Sequence, residues 1–185
     1  MLRIIALIIF RISGWKAKSS VPSDIKKAVM VAAPHTSNWD LIYARAALYI
    51  LRVPVKFTIK KDWMFFPLNL LLDYLGAIPI DRNPKGIRKT SMVDKMIEIF
   101  NEREHLIILV TPEGTRKYAK KWKSGYYFTA QRAGVPILLG YLDYSQKEAG
   151  IGAVFYPTGD LQKDTEQIKD FYRKKVAKYP ENGVY

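Results

Sequence analysis

His35 and Asp40 carry the residue types for acid–base chemistry and stand five residues apart in His35-Thr-Ser-Asn-Trp-Asp40. The apolar run Ala28 to Ala33 precedes them and reads as a buried strand, and Leu41 to Leu51 follows with a helical pattern. A turn from strand to helix can fold Asp40 back onto His35. The carboxylate would then hold one ring nitrogen and leave the other free to take a proton. The chain has only two histidines, so few other side chains could act as a base near neutral pH. The same pair also fits a histidine at a strand end, followed by an aspartate that the helix dipole favours. The second histidine, His105, stands beside Glu104 at the start of a strand and reads as structural.

A second chemical segment is Thr111-Pro-Glu113-Gly114-Thr115-Arg116, which follows the apolar run Leu106 to Val110. Proline and glycine flank the glutamate, so the chain turns tightly at a strand's end. Ligands of open α/β sheets sit at such C-terminal strand ends. Gly114 lets backbone approach a ligand, and Arg116 offers a planar fork that suits phosphate. A surface turn with an exposed ion pair has the same composition.

Taken together, these residues resemble the glycerolipid acyltransferase family, the lysophosphatidic acid acyltransferases. His35-x4-Asp40 matches that family's first motif and Glu113-Gly114-Thr115-Arg116 its third. Gly76-Ala-Ile-Pro-Ile-Asp-Arg82 matches the second, and Val135-Pro136-Ile137 matches the fourth weakly. The four occur in the family's order, and it is this order, more than any single motif, that carries the resemblance. Pro34 stands where many members have Asn, and Lys117 where Ser often follows the arginine. Both departures bear on the acceptor more than on the chemistry.

The resemblance implies transfer of a fatty acyl group from a thioester, acyl-CoA or acyl-carrier protein, to the hydroxyl of a lysophospholipid. The foremost acceptor is 1-acyl-glycerol-3-phosphate, which would give phosphatidate. His35 would deprotonate the hydroxyl and Asp40 would orient and balance the imidazolium. Arg82 and Arg116 would hold the acceptor phosphate, Glu113, Gly114 and Thr115 would shape its pocket, and Pro136 would contact the acyl donor. No cofactor beyond the thioester co-substrate and no metal is expected. The residues agree in one respect: the chain has no cysteine and no Gly-x-Ser-x-Gly nucleophile elbow. Two other readings stay open. One is acyl transfer to another lysolipid, an aminolipid or glycolipid; the other is a non-catalytic basic protein that binds lipid or nucleic acid.

The elements that must position these groups are legible in outline. At 185 residues the chain fits one domain with a sizeable core. Alternating apolar runs and helical patterns predict an α/β domain with a largely parallel central sheet flanked by helices. Strands are expected at 28–33, 55–59, 78–80, 106–110, 137–142 and 152–156. Helices are expected at 41–51, 65–74, 87–100, 127–133 and 164–177. Met64 to Ile80 is apolar but broken by Pro67, Asp73 and Gly76, so it reads mainly as core plus loop. Phe65, Phe66 and Leu70 to Leu72 have the alternative of lining an acyl groove or touching lipid.

Charge points to the partners. The formal net charge is +13, with 49% hydrophobic and 25% charged residues. Such an excess attracts anionic lipid, nucleic acid, coenzyme A phosphates or an acidic carrier protein. Arg116-Lys-Tyr-Ala-Lys-Lys-Trp-Lys123 interleaves basic and aromatic residues beside the phosphate turn. Such mixing suits single-stranded nucleic acid as well as a membrane interface, but beside that turn an anionic ligand is the economical reading, and nucleic acid is not the expected partner; a solvated basic loop has the same composition. The apolar stretch Ile4 to Phe10 is far shorter than the roughly 20 residues that span a bilayer. With Arg3, Arg11, Lys16, Lys18 and Trp15 around it, residues 1–18 are expected to form an amphipathic helix at the membrane interface, ahead of an acyltransferase domain at 19–185. A helix packed on the domain fits the same pattern. A secretory signal is disfavoured because Arg11 follows the run and no small-residue cleavage site appears. The expected location is peripheral, on the cytoplasmic face of the membrane.

Overall fold

The computed structural model describes residues 2–22, 24–80 and 91–185. Among these, seven strands form one sheet: β1 Lys16–Ser19, β2 Lys27–Ala33, β3 Val55–Lys60, β4 Ala77–Ile80, β5 Leu106–Val110, β6 Ile137–Asp143 and β7 Glu148–Phe155. Six α-helices accompany them: α1 Leu2–Ser13, α2 Trp39–Leu51, α3 Leu68–Tyr74, α4 Met92–Asn101, α5 Gly125–Ala133 and α6 Leu161–Arg173. The sheet order is β1-β7-β6-β2-β5-β3-β4. Every pairing is parallel except β6 with β7. The expected α/β architecture with a largely parallel sheet is present.

Side-chain alternation along the strands builds two cores. Val29, Val31 and Ala33 of β2 face one side with Ile108, Ile137 and Leu139. They meet Met96 and Phe100 of α4, Tyr127 and Ala130 of α5, and Ile168 and Tyr172 of α6. Ala28 and Met30 face the other side with Ile107 and Leu138, under Leu48 of α2. Beside them, Ala6, Phe10, Trp15, Ala46 and Ala47 join α1 to α2. A parallel strand buried on both faces must be apolar at every position, and Ala28–Ala33 is. Because β2 lies between β6 and β5, the chain leaving these three strands emerges at one end of the sheet. There the turns after β2, β5 and β6 become neighbours.

Several elements depart from the pattern reading. β1 was not expected: Lys-Ala-Lys-Ser has no apolar run, because an edge strand is solvated. The helix therefore ends at Ser13, and residues 16–19 belong to the sheet. β7 starts at Glu148, earlier than residue 152, and its antiparallel return from β6 was unforeseen. Gly150 hid that start. It weakens a strand signal, yet a Cβ there would lie 1.7 Å from the Lys18 carbonyl oxygen of β1, so the pairing requires it. α6 stops at Arg173 because the following chain leaves the helix, and the Val176 carbonyl accepts the Tyr144 amide instead. The part of the fourth expected helix before residue 91 lies outside the described residues.

The segment 63–74 is not core. No residue of α3 is buried, and Trp63, Phe65, Phe66, Leu70, Leu71 and Tyr74 are all exposed. The core-plus-loop expectation holds for Ile78 and Ile80, which β4 carries into the sheet. No helix among the described residues is long and apolar enough to cross a membrane.

The buried Tyr172 hydroxyl ties the sheet to α6, donating to the carbonyls of Val31 at 2.9 Å and Gly140 at 3.1 Å. Tyr172→Phe removes that donor with little change in packing. It is expected to lower the unfolding free energy by about 1–2 kcal/mol, measured as a shift in urea midpoint at unchanged slope.

Candidate active site

β2 delivers Ala33 to the carboxyl end of the sheet, and Pro34 and His35 follow directly. The chain then turns through Thr36 and Ser37 into α2, with Asn38 just before its first residue. Asp40 is thus in the first turn of that helix and points back over the loop. His35 Nδ1 lies 3.2 Å from Asp40 Oδ2, the arrangement expected from the spacing. That contact fixes the proton on Nδ1 and leaves Nε2 as the ring's basic nitrogen. The imidazole is partly exposed, whereas Asp40 is buried.

A carboxylate removed from water needs partners, and Asp40 has several. Its Oδ2 accepts from the Thr36 amide at 2.7 Å and the Ser37 amide at 2.8 Å. Its Oδ1 accepts from the Tyr144 hydroxyl at 2.7 Å. Burial works to raise the Asp40 carboxyl, but the bonds from His35, Tyr144, Ser37 and Thr36 outweigh it and hold the group below its usual value. Asp40 is therefore a fixed anion beside the imidazole.

The turn after β5 closes on the same place. Glu113 is buried and its Oε2 accepts the His35 backbone amide at 2.9 Å. The glutamate thus holds the loop that carries His35, a role the sequence did not assign. Burial pushes its carboxyl up to about 7 against the opposing pull of the His35 amide and ring, and the Asp40 charge adds to the rise. Gly114 sits at φ +65°, a left-handed conformation that favours glycine, and the Lys123 side chain lies over it. Thr115 Oγ1 accepts the Lys117 amide at 3.2 Å and stabilises the turn. Arg116 is exposed, and its guanidinium donates to the Asn38 side-chain carbonyl, so the β5 turn reaches across to the His35 loop.

His35, Asp40, Glu113, Gly114, Thr115 and Arg116 therefore meet at one end of the sheet. Pro136 does not. It precedes β6 at the opposite, amino end, where its carbonyl accepts the Val29 amide. Arg82 lies outside the described residues. Sequence reasoning missed Asn38, which receives Arg116, and Tyr144, which holds Asp40. Tyr144 follows a buried apolar strand, as His35 and Glu113 do, so the strand-end rule would have pointed to it. Among the described residues no cluster of three His, Cys, Asp or Glu side chains could hold a metal ion.

An apolar cavity of about 230 Å³ runs beneath the dyad between α2 and the sheet. His35, Asn38 and Asp40 line it together with Leu41, Ala44 and Leu48 of α2 and with Met30, Phe57 and Leu109 from the sheet. Arg45 lines it as well. Its guanidinium turns to the Leu75 carbonyl at 2.9 Å, the Tyr49 hydroxyl at 2.7 Å and the Val55 carbonyl at 3.4 Å. The cavity thus joins a basic imidazole to an apolar slot.

The Glu113 shift has a consequence for stability. The folded carboxyl keeps its proton up to about 7, whereas the unfolded chain releases it near 4.5. Between those values the folded state binds more protons, so stability falls as pH rises through that window and then levels off. The loss amounts to ~3 kcal/mol by the usual conversion. Asp40 acts in the opposite sense and only below its ordinary 3.8. Glu113→Gln can still accept the His35 amide and is expected to flatten the fall, measured as denaturant midpoints at about pH 5 and about pH 8.

The Acyltransferase family model matches residues 15–138 of the chain. That range includes the dyad and the Glu113 turn. No curated protein matches by sequence. Among solved structures, the fold is similar to the crystal structure of the 1-acyl-sn-glycerophosphate (LPA) acyltransferase PlsC from Thermotoga maritima. The TM-score is 0.62 at 18% identity, over 96% of this chain and 80% of that one. The family match covers most of the chain, from β1 through the His35–Asp40 pair and the Glu113 turn into β6: the chain belongs to the acyltransferase family.

Proposed function

We propose that this acyltransferase moves a fatty acyl group from a thioester donor, acyl-CoA or acyl-carrier protein, to the free hydroxyl of a lysophospholipid. The foremost acceptor is 1-acyl-glycerol-3-phosphate, giving phosphatidate. The observation that carries this reading is the His35–Asp40 pair in the lining of an apolar slot. A fatty chain laid in the slot would place its thioester carbonyl at the imidazole.

The chemistry follows from the ring's orientation. With Nδ1 held by Asp40, Nε2 takes the proton of the acceptor hydroxyl as the hydroxyl oxygen attacks the thioester carbonyl carbon. The new C–O bond forms and the carbonyl oxygen takes up negative charge. Collapse of that adduct breaks the C–S bond, and the imidazolium returns its proton to the departing thiolate. The products are an ester and a free thiol, with no acyl group attached to the protein. Asp40 stays charged throughout and offsets the positive imidazolium. Arg116, with Arg82 as its proposed companion, would bind the acceptor's phosphate by charge-assisted bonds. The reading needs no metal and no cofactor beyond the thioester.

Lipid substrates imply a surface that reaches them, and the proposed site is peripheral, at the cytoplasmic face of an anionic membrane. α1 buries Ala6 and Phe10 against the domain, while Ile4, Ile5, Leu7, Ile8 and Ile12 are exposed. The exposed set grows with Trp39, Leu41 and Ile42 at the start of α2, and Leu41 also lines the cavity. Apolar side chains displayed together with a net charge of +13 support association with anionic lipid.

The direct test uses purified protein, an acyl thioester and a panel of lysophospholipids, lyso-aminolipids and glycolipids, with products identified by mass spectrometry. Phosphatidate formation from lysophosphatidate supports the reading; transfer only to another lysolipid reassigns the acceptor. His35→Ala is expected to lower kcat by about 10²–10⁴-fold with little change in acceptor KM. Wild-type rates in that variant would remove the dyad from the mechanism. A triple change, Ile4, Ile8 and Ile12 each to Ser, leaves the buried face of α1 intact. It is expected to keep the melting temperature and weaken sedimentation with anionic vesicles, with added salt weakening it further.

A further inference from the structure

We propose that Tyr144 is a positioning residue of the dyad: its hydroxyl fixes the Asp40 carboxylate, and the chain beyond α6 fixes Tyr144. This rests on the assignment of His35 as the base. It concerns a residue outside the 15–138 range that the family model matches.

Three observations carry it. The first is the bond itself, 2.7 Å from Tyr144 Oη to Asp40 Oδ1. His35 and the two loop amides all use Oδ2, so Tyr144 is the side chain that holds the other oxygen. A carboxylate gripped at both oxygens cannot rotate away from the imidazole. The second is that the tyrosine ring is itself fixed. It meets Trp15 edge-on at 4.9 Å and Tyr43 edge-on at 6.2 Å between centroids, and Lys178 Nζ stands 5.9 Å from it. Burial first, and then the bond to Asp40, keep the phenol protonated and thus a donor.

The third is where the support comes from. The Tyr144 amide donates to the Val176 carbonyl at 2.9 Å, just past the end of α6. Three residues later the Tyr179 amide donates to Thr36 Oγ1 at 3.3 Å, and Thr36 is one of the amides on Asp40. Further on, Asn182 Oδ1 accepts the Tyr118 amide in the loop after Arg116. The C-terminal segment therefore touches the turns after β2, β5 and β6, and holds Asp40 from two sides.

Tyr144→Phe keeps the ring and removes only the donor. The test reads the dyad directly in substrate-free, ¹⁵N-labelled protein, where the Nδ1–H of His35 is distinguished from His105 by a His105→Gln sample. Exchange of that proton with water is expected to quicken about tenfold in Tyr144→Phe, the scale of one such hydrogen bond. Tyr172→Phe serves as the structural control: it loses stability and should leave the exchange unchanged. With acyl-CoA and lysophosphatidate, Tyr144→Phe should lower kcat about tenfold and leave KM within about twofold. Unchanged Nδ1–H exchange in Tyr144→Phe, or equal quickening in Tyr172→Phe, overturns the proposal. If the wild-type protein transfers acyl groups to no lysolipid, the acyl-transfer reading fails while the exchange measurement still decides the role of Tyr144.

Discussion

The buried carboxylate of Asp40 is the constraint around which the candidate active site is arranged. An anion out of water is costly unless hydrogen bonds surround it. Here the donors come from the loop after β2, from the imidazole it carries and from the turn after β6. Satisfying Asp40 therefore sets the course of the 35–40 loop, the tautomer of His35 and the seat of Tyr144. The parallel sheet makes this possible, since β6, β2 and β5 lie side by side and end together.

Glu113 is the counterpart of Asp40 and behaves differently for a physical reason. Asp40 has donors enough to remain ionised, whereas Glu113 accepts one backbone amide from His35 in a buried setting. Two nearby carboxylates are thus driven apart in proton affinity, one fixed as an anion and the other poised near neutrality. The first faces the ring and the second holds its backbone, so the imidazole is set from two sides. Arg116 is left exposed at the rim, joined to Asn38, where an incoming anion can reach it.

α2 links this chemistry to the apolar slot. Its first turn supplies Asp40 and Leu41, and its next turns supply Ala44, Arg45 and Leu48 to the cavity wall. The Arg45 guanidinium is drawn to the carbonyls of Val55 and Leu75, which leaves its stem beside the slot. In the proposed acyl transfer, a helix that both neighbours the base and walls the slot would couple substrate placement to the reaction.

The sequence by itself determined the repeating α/β pattern, the dyad and the turn that meets it. It could do so because each rests on local rules: buried parallel strands are apolar throughout, and a strand-to-helix turn returns i+5 to i. The buried run Ala28–Ala33 and the spacing from His35 to Asp40 needed no distant information. Tertiary structure decided what no local pattern encodes. Lys16–Ser19 is a strand only because β7 offers its edge, and Trp63, Phe65, Phe66, Leu70, Leu71 and Tyr74 are exposed although they are apolar. Pro136 lies at the far end of its strand from the dyad because β6 runs parallel to β2. Glu113 reaches the His35 amide, and Tyr144 reaches Asp40, across 78 and 104 positions of chain. Hydrogen bonds between groups so far apart depend on which strands become neighbours, and strand order is fixed by packing of the whole sheet.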